Sequence, residues 1–381
     1  MTDPARSPDR PKEAPAEATA TETASVSTIE LFFDLVFVFT ITQLTAVLVH
    51  VPTVPGVLSV VLMLGVIWWM YGGYAWLTNA VRPDRADRRL LLMVGMAGFL
   101  LIALSIPRAF SGAGLTFGLG YLVVTIVHAG LFTRSGVPAT VQAVFRLARF
   151  NLASAMLVLA GGFLGGIGQY VLWGLAFGLQ ATTPFLSHIE DFRIQPAHFV
   201  ERHGLVVLIA LGESVVAVGI GLTGKAITPP VAAVAILGLA LTAALFWLYF
   251  GGDDAHAERA LTNAPLARRP WLALYSYGYA HVPLLLGVVV LAAGVRMTIG
   301  HAFDPLVPVW SLALASGVLL YLVGDVYFRR TLGIRPNAAR GLAALAALGT
   351  VPFGVGLGAV AQLTLLVVLL AATLAVETKP V

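Results

Sequence analysis

The chain has 381 residues, of which 58% are hydrophobic and only 11% charged, whereas an ordinary soluble domain is roughly a quarter charged. That composition excludes a soluble globule, and the lack of cysteine excludes disulfides, thiolate chemistry and cysteine metal sites. The net charge of +4 is no nucleic-acid signal either, because Lys and Arg fall in short connections between apolar runs.

Residues 1–26 are rich in Pro, Ala, Glu and Thr and read as a disordered cytoplasmic tail with no cleavable signal peptide. Residues 27–377 hold recurring apolar stretches of about 17 to 22 residues, each enough to cross a hydrocarbon core of about 30 Å at 1.5 Å per residue. Barrel strands would alternate polar and apolar residues instead. The fold class is therefore all-α, a polytopic transmembrane helical bundle of about twelve spans. These fall at 29–49, 55–77, 90–107, 113–133, 149–164, 167–187, 204–222, 229–250, 271–295, 305–328, 340–355 and 357–376. Val351, Pro352, Gly354, Gly356 and Gly358 mark either a tight hairpin between the last two or a kink in one long helix, which would leave eleven.

Twelve spans put only Arg108, Lys225 and Arg296 outside and the rest of the 23 Lys and Arg inside. That places both termini in the cytoplasm and the bundle in the inner membrane. Two parallel six-helix repeats, 27–190 and 198–377, are suggested by Glu30 and Glu201 and by Trp76-Leu77 and Trp247-Leu248, both pairs 171 residues apart.

The first span opens with Ser27 and, three residues on, Glu30, a capping-box spacing. Asp34 lies one turn deeper on the same face, where an acid costs about 2.5 to 3.5 kcal/mol if it reaches the membrane centre. The pair needs a cation, a proton or an arginine such as Arg146 or Arg149. Ahead of and within the seventh span come His198, Glu201, Arg202, His203 and then Glu213, a lone acid placed near the midplane. His188, Glu190, Asp191, His198, Glu201 and His203 contain metal-ligand types in no metal-ligand spacing, so no metal is expected. His198 and Glu201 should share a helix face.

His128 and His281 are candidate proton-relay members. Asp325 and Arg329, four apart, make an intrahelical pair. Trp68, Trp69, Trp76, Trp247 and Trp310 read as packing or interface aromatics. No nucleophile elbow, phosphate loop or haem motif occurs, so neither a cofactor nor an enzyme is expected.

The segments ELFFDLVFVFTITQL from Glu30 and HFVERHGLVVLIALGES from His198 resemble the bacterial low temperature requirement protein A (LtrA) family, over nearly the whole chain after residue 26. The resemblance implies a bacterial multi-pass membrane protein linked by name to growth in the cold. It carries over Glu30, Phe33, Asp34, His198, Glu201, Arg202, Gly204, Gly212 and Glu213 as motif positions. The run from Phe33 to Phe37 is also similar to the first helix of the lysosomal-type potassium channel family, which builds two six-helix repeats; here Phe33 directly precedes Asp34, where that motif has Ser. The leading expectation is a secondary transporter or ion-coupled permease that uses Asp34, Glu213, Glu30 and Glu201 for a proton, cation or small solute. A cation channel, a non-transporting membrane protein and a membrane enzyme are the alternatives.

Overall fold

The computed structural model describes residues 26–80, 85–133, 138–187 and 189–377, with the backbone alone for 138–145 and 191. The expected tail, Val26 apart, lies outside the described residues. Every regular element among them is helical. The first six long helices are α1 (Thr28–His50), α2 (Val54–Ala80), α3 (Ala86–Ser105), α4 (Gly114–Phe132), α5 (Pro138–Leu164) and α6 (Gly166–Leu186). Then come α7 (Pro196–Leu222), α8 (Pro229–Phe250) and the short α9 (Asp253–Asn263). The next traverse combines α10 (Arg269–Ala273), a π-helical turn (Leu274–Tyr279) and α11 (His281–Thr298). The chain ends with α12 (Pro308–Thr331), α13 (Ala338–Leu348), α14 (Val351–Leu357) and α15 (Ala359–Glu377).

Local chemistry sets the helix starts. Glu30 folds back to accept from the Ser27 N–H (2.9 Å) and hydroxyl (2.7 Å), using donors that α1 leaves open. Pro196, Pro229 and Pro308 open α7, α8 and α12, where a missing N–H costs no helical bond. Along α1, Phe33, Asp34, Phe37 and Ile41 turn inward while Phe32 and Leu35 are more than half exposed. An apolar outer face over a packed interior is what lipid demands.

Among the described residues, eleven segments are long and apolar enough to cross a membrane. α6 has the length, but Gln169, Gln180, Thr182 and Thr183 lower its apolarity. Its crossing follows from parity. Arg202 near the start of α7 meets Glu30 at the start of α1, so an even number of traverses separates the two starts. The bundle is thus a twelve-traverse, multi-pass membrane fold. Gly358, at φ 94°, separates α14 from α15, so the last region is two segments and the eleven-span alternative falls. α5 and α7 begin earlier than expected, at Pro138 and Pro196 rather than 149 and 204.

The hairpins α5–α6 and α14–α15 close alike. Gly165 and Gly358 both take positive φ, and four residues later Gln169 donates to Ala109 O (2.8 Å) and Gln362 to Ser311 O (2.8 Å). α11 crosses α12 backbone to backbone: a Cβ on Gly317 would meet Leu291 N at 2.7 Å, and one on Gly287 would meet Gly317 O at 2.7 Å.

Near the ends of α8, α12 and α15 a buried clasp forms. Arg340 donates to Asp325 (2.6 Å), Asp253 (3.0 Å) and Glu377 (2.9 Å), while Arg329 holds Asp253 (2.8 Å). This corrects the expected Asp325–Arg329 pair. Arg340 from α13 takes Asp325, and Arg329 turns toward Asp253 at the start of α9 instead.

Candidate functional site

α1 and α7 lie side by side and run in the same direction, since Glu30 and Asp34 contact Arg202 and, further up, Thr42 contacts Glu213, a separation of 171 residues. The α2 helix closes the lower part of this seam. Arg202 is fully buried between two carboxylates: Nη1 donates to Glu30 Oε1 at 2.9 Å and Nη2 to Asp34 Oδ1 at 3.2 Å, and Nη1 also donates to Thr78 Oγ1. Its guanidinium lies over the Phe33 and Tyr71 rings, 5.5 and 5.8 Å from their centroids. This packing suits a planar, weakly hydrated cation better than an ammonium.

The two acids are served unequally. Glu30 accepts from Ser27, Arg202 and His198, whose Nε2 lies 3.2 Å from Oε1. Asn79 Nδ2 donates to His198 Nδ1 at 3.2 Å, which leaves the proton of a neutral ring on Nε2, facing Glu30. Asn79 is itself oriented by two bonds to the Gln195 backbone. Asp34 receives both of its donors, Arg202 and the Tyr71 hydroxyl (3.0 Å), on Oδ1, while Oδ2 is buried without one. With a neutral His198 the cluster holds two carboxylates against one guanidinium.

The expected partners Arg146 and Arg149 are thus replaced by Arg202. Glu213 does not face Asp34. Because α7 starts at Pro196, Glu213 sits seventeen residues along it, about 25 Å from that end, and accepts from Thr42 at 2.6 Å within electrostatic range of Arg296. Between the two polar levels Phe37, Ile41, Val206 and Ala210 are fully buried. Glu201 stands outside the cluster, exposed, with Val26 N 3.2 Å from its carboxylate. His198 and Glu201 do not share a buried face, since α7 turns 198, 199, 202 and 203 inward. Among the described residues no group of three His, Asp or Glu gathers closely enough to hold a metal ion; His188 and the Asp191 side chain lie outside them.

A cavity of about 100 Å³ adjoins this cluster between α2, α4, α5, α7 and the π turn. Its shape originates in α2, where Trp68, Gly72 and Trp76, with Trp69 and Gly73, alternate bulk and absence of side chain at four-residue spacing. Trp68 stacks on Tyr71 (5.2 Å), which reaches Asp34, and its Nε1 donates to Gly278 O of the π turn (2.8 Å). The sequence marks these tryptophans as packing or interface aromatics; Trp68, Trp69 and Trp76 do pack on the core and also wall one cavity. His128 lines it too. His281 does not, being fully buried behind Trp68, with Tyr249 Oη 2.9 Å from Nε2 and Ser276 O 2.9 Å from Nδ1. Among the described residues no chain of direct hydrogen bonds joins the two histidines.

Comparison with known proteins agrees with the motif residues. The family model described as bacterial low temperature requirement A protein (LtrA) matches residues 25–375. The uncharacterized protein RA0937 of Rhizobium meliloti (strain 1021) is 28% identical over 315 residues, covering 79% of this chain and 76% of that protein. No solved structure matches the chain.

Proposed function

The chain is a member of the bacterial LtrA family, and from that premise we propose that it is a proton-coupled carrier of a small solute. One observation supports the reading above others: Asp34 is fully buried with Oδ2 lacking a donor, beside a second carboxylate, Glu30, that shares its guanidinium. Surplus charge inside a lipid-spanning bundle is relieved most cheaply by a proton, and the unbonded oxygen is where it binds. A proton there weakens the hold of Asp34 on Arg202, which links protonation to the packing of α1 on α7. Glu213 is the second carboxyl on the same seam.

The buried apolar residues between the two levels favour a carrier over an open cation channel, which needs a continuous polar path. In this reading the bundle lies in the inner membrane with both termini in the cytoplasm, at the end rich in Lys and Arg. It carries out no covalent chemistry.

Two measurements test the proposal. The infrared spectrum of the purified protein at neutral pH should contain a protonated-carboxyl band that disappears in Asp34→Asn. Proteoliposomes should dissipate an imposed pH gradient at least tenfold faster with the wild-type chain than with Asp34→Asn. A spectrum and a rate that both ignore this substitution would remove the reading.

A further inference from the structure

The cavity beside the ion cluster carries polar groups that its own walls do not satisfy. Asn151 Oδ1 and the Tyr277 hydroxyl are buried without hydrogen-bond partners, and both residues line it. His128, whose ring lies against Gly73, likewise leaves Nε2 unbonded there. Native proteins rarely bury such atoms unpaired, and those that persist usually meet a ligand or water. Three of them around one hollow, beside a π-helical turn of the kind that collects at functional sites, mark a built site.

We infer that this cavity binds a neutral, compact, amphipathic molecule that both donates and accepts a hydrogen bond. The donor requirement comes from Asn151 Oδ1, which only accepts, and the acceptor requirement from the Tyr277 O–H. Trp68, Trp69 and Trp76 supply faces for a flat apolar body. Charge is disfavoured: among the described residues no carboxylate, lysine or arginine lines the cavity, so an ion would find no counter-ion among them. Size is bounded as well, since an apolar cavity of about 150 Å³ admits benzene, and about 100 Å³ suits a five-membered ring or an open molecule of similar bulk. The inference rests on the carrier reading only for the claim that the bound molecule is the one transported.

Pyrazole, a neutral five-membered ring with one donor and one acceptor nitrogen, is the probe. Titrated into the full-length purified chain in detergent, it should change tryptophan fluorescence saturably, because three of the seven tryptophans wall the cavity. Thiophene has the same size without the hydrogen bonds and should bind at least fivefold more weakly. Asn151→Leu and Tyr277→Phe should each weaken pyrazole at least fivefold. Gly72→Leu should abolish binding in a folded protein, since a Cβ at Gly72 meets nothing within 4 Å. Asp34→Asn should leave the affinity within twofold, so that lost proton flux with intact pyrazole binding separates the two proposals. The inference is overturned by an absence of saturable pyrazole binding, by equal affinity for thiophene, by unchanged affinity in Gly72→Leu, or by tighter binding of tetramethylammonium than of pyrazole.

Discussion

The chain buries two ionic clusters that reach solvent to different extents. The clasp sets Asp253, Asp325 and Glu377 against Arg329 and Arg340, whereas in the trio Glu30 and Asp34 share Arg202, with His198 3.2 Å from Glu30. In the clasp, Asp325 is fully buried and, like Asp34, keeps one oxygen without a donor, but the side chains of its neighbours Asp253 and Glu377 are 10% exposed and reach solvent. In the trio, Asp34 and Arg202 are 0% exposed and Glu30 2%. The clasp ties together elements from α8 onward, whereas the trio joins α1 and α2 to α7. A cluster that water can reach is a fastening; one sealed in a seam between the first and last six traverses is where the proposed proton would act.

Removing the central arginine of each cluster should split them furthest. Arg202→Met leaves two sealed carboxylates unpaired and should destabilise the protein by about 3 to 5 kcal/mol, read from unfolding in mixed micelles. Arg202→Lys should recover less than half of that, since one ammonium does not span both acids. Arg340→Met strips the fully buried Asp325 of its donor, but Arg329 stays on Asp253 and Glu377 can turn to water, so it should cost somewhat less, about 2 to 4 kcal/mol. Equal losses at the two arginines would erase the distinction. Tyr71→Phe removes a donor from Asp34 and should cost about 1 to 2 kcal/mol in the same assay. Asp34→Asn keeps Oδ1 as an acceptor for Tyr71 and Arg202 while deleting the surplus charge, so stability should stay within about 1 kcal/mol even as proton flux is lost. Smallest is Glu213→Gln, which preserves the bond from Thr42 and should move stability by no more than about 0.5 kcal/mol.

The traverses were legible because lipid leaves a helix few alternatives, and Asp34 stood out because an acid inside a span is costly. Its partner was not. Arg202 sits in the segment from His198 to His203, whose polarity reads as a connection, and only the pairing of α7 with α1 makes it a buried helix turn. That misreading also shortened α7 and moved Glu213 toward the midplane. Asp325 offered a same-helix arginine, and nothing local reveals that α13 brings a better one.

Two signals were present and overlooked. The Trp–Gly alternation from Trp68 to Trp76 outlines a hollow, and Gly165-Gly166-Ile167-Gly168-Gln169 matches Gly358-Ala359-Val360-Ala361-Gln362 residue by residue in kind. The unbonded atoms of Asn151 and Tyr277, by contrast, depend on which side chains fail to meet, and no spacing encodes that.

The crossing of α11 and α12 through Gly287 and Gly317 has a mechanical consequence. Main chains pressed together without intervening side chains have no slack in which to slide, so these two helices travel as one plank. Any rocking of the molecule would then leave this pair intact and show itself at contacts made by side chains, where rotamers can turn.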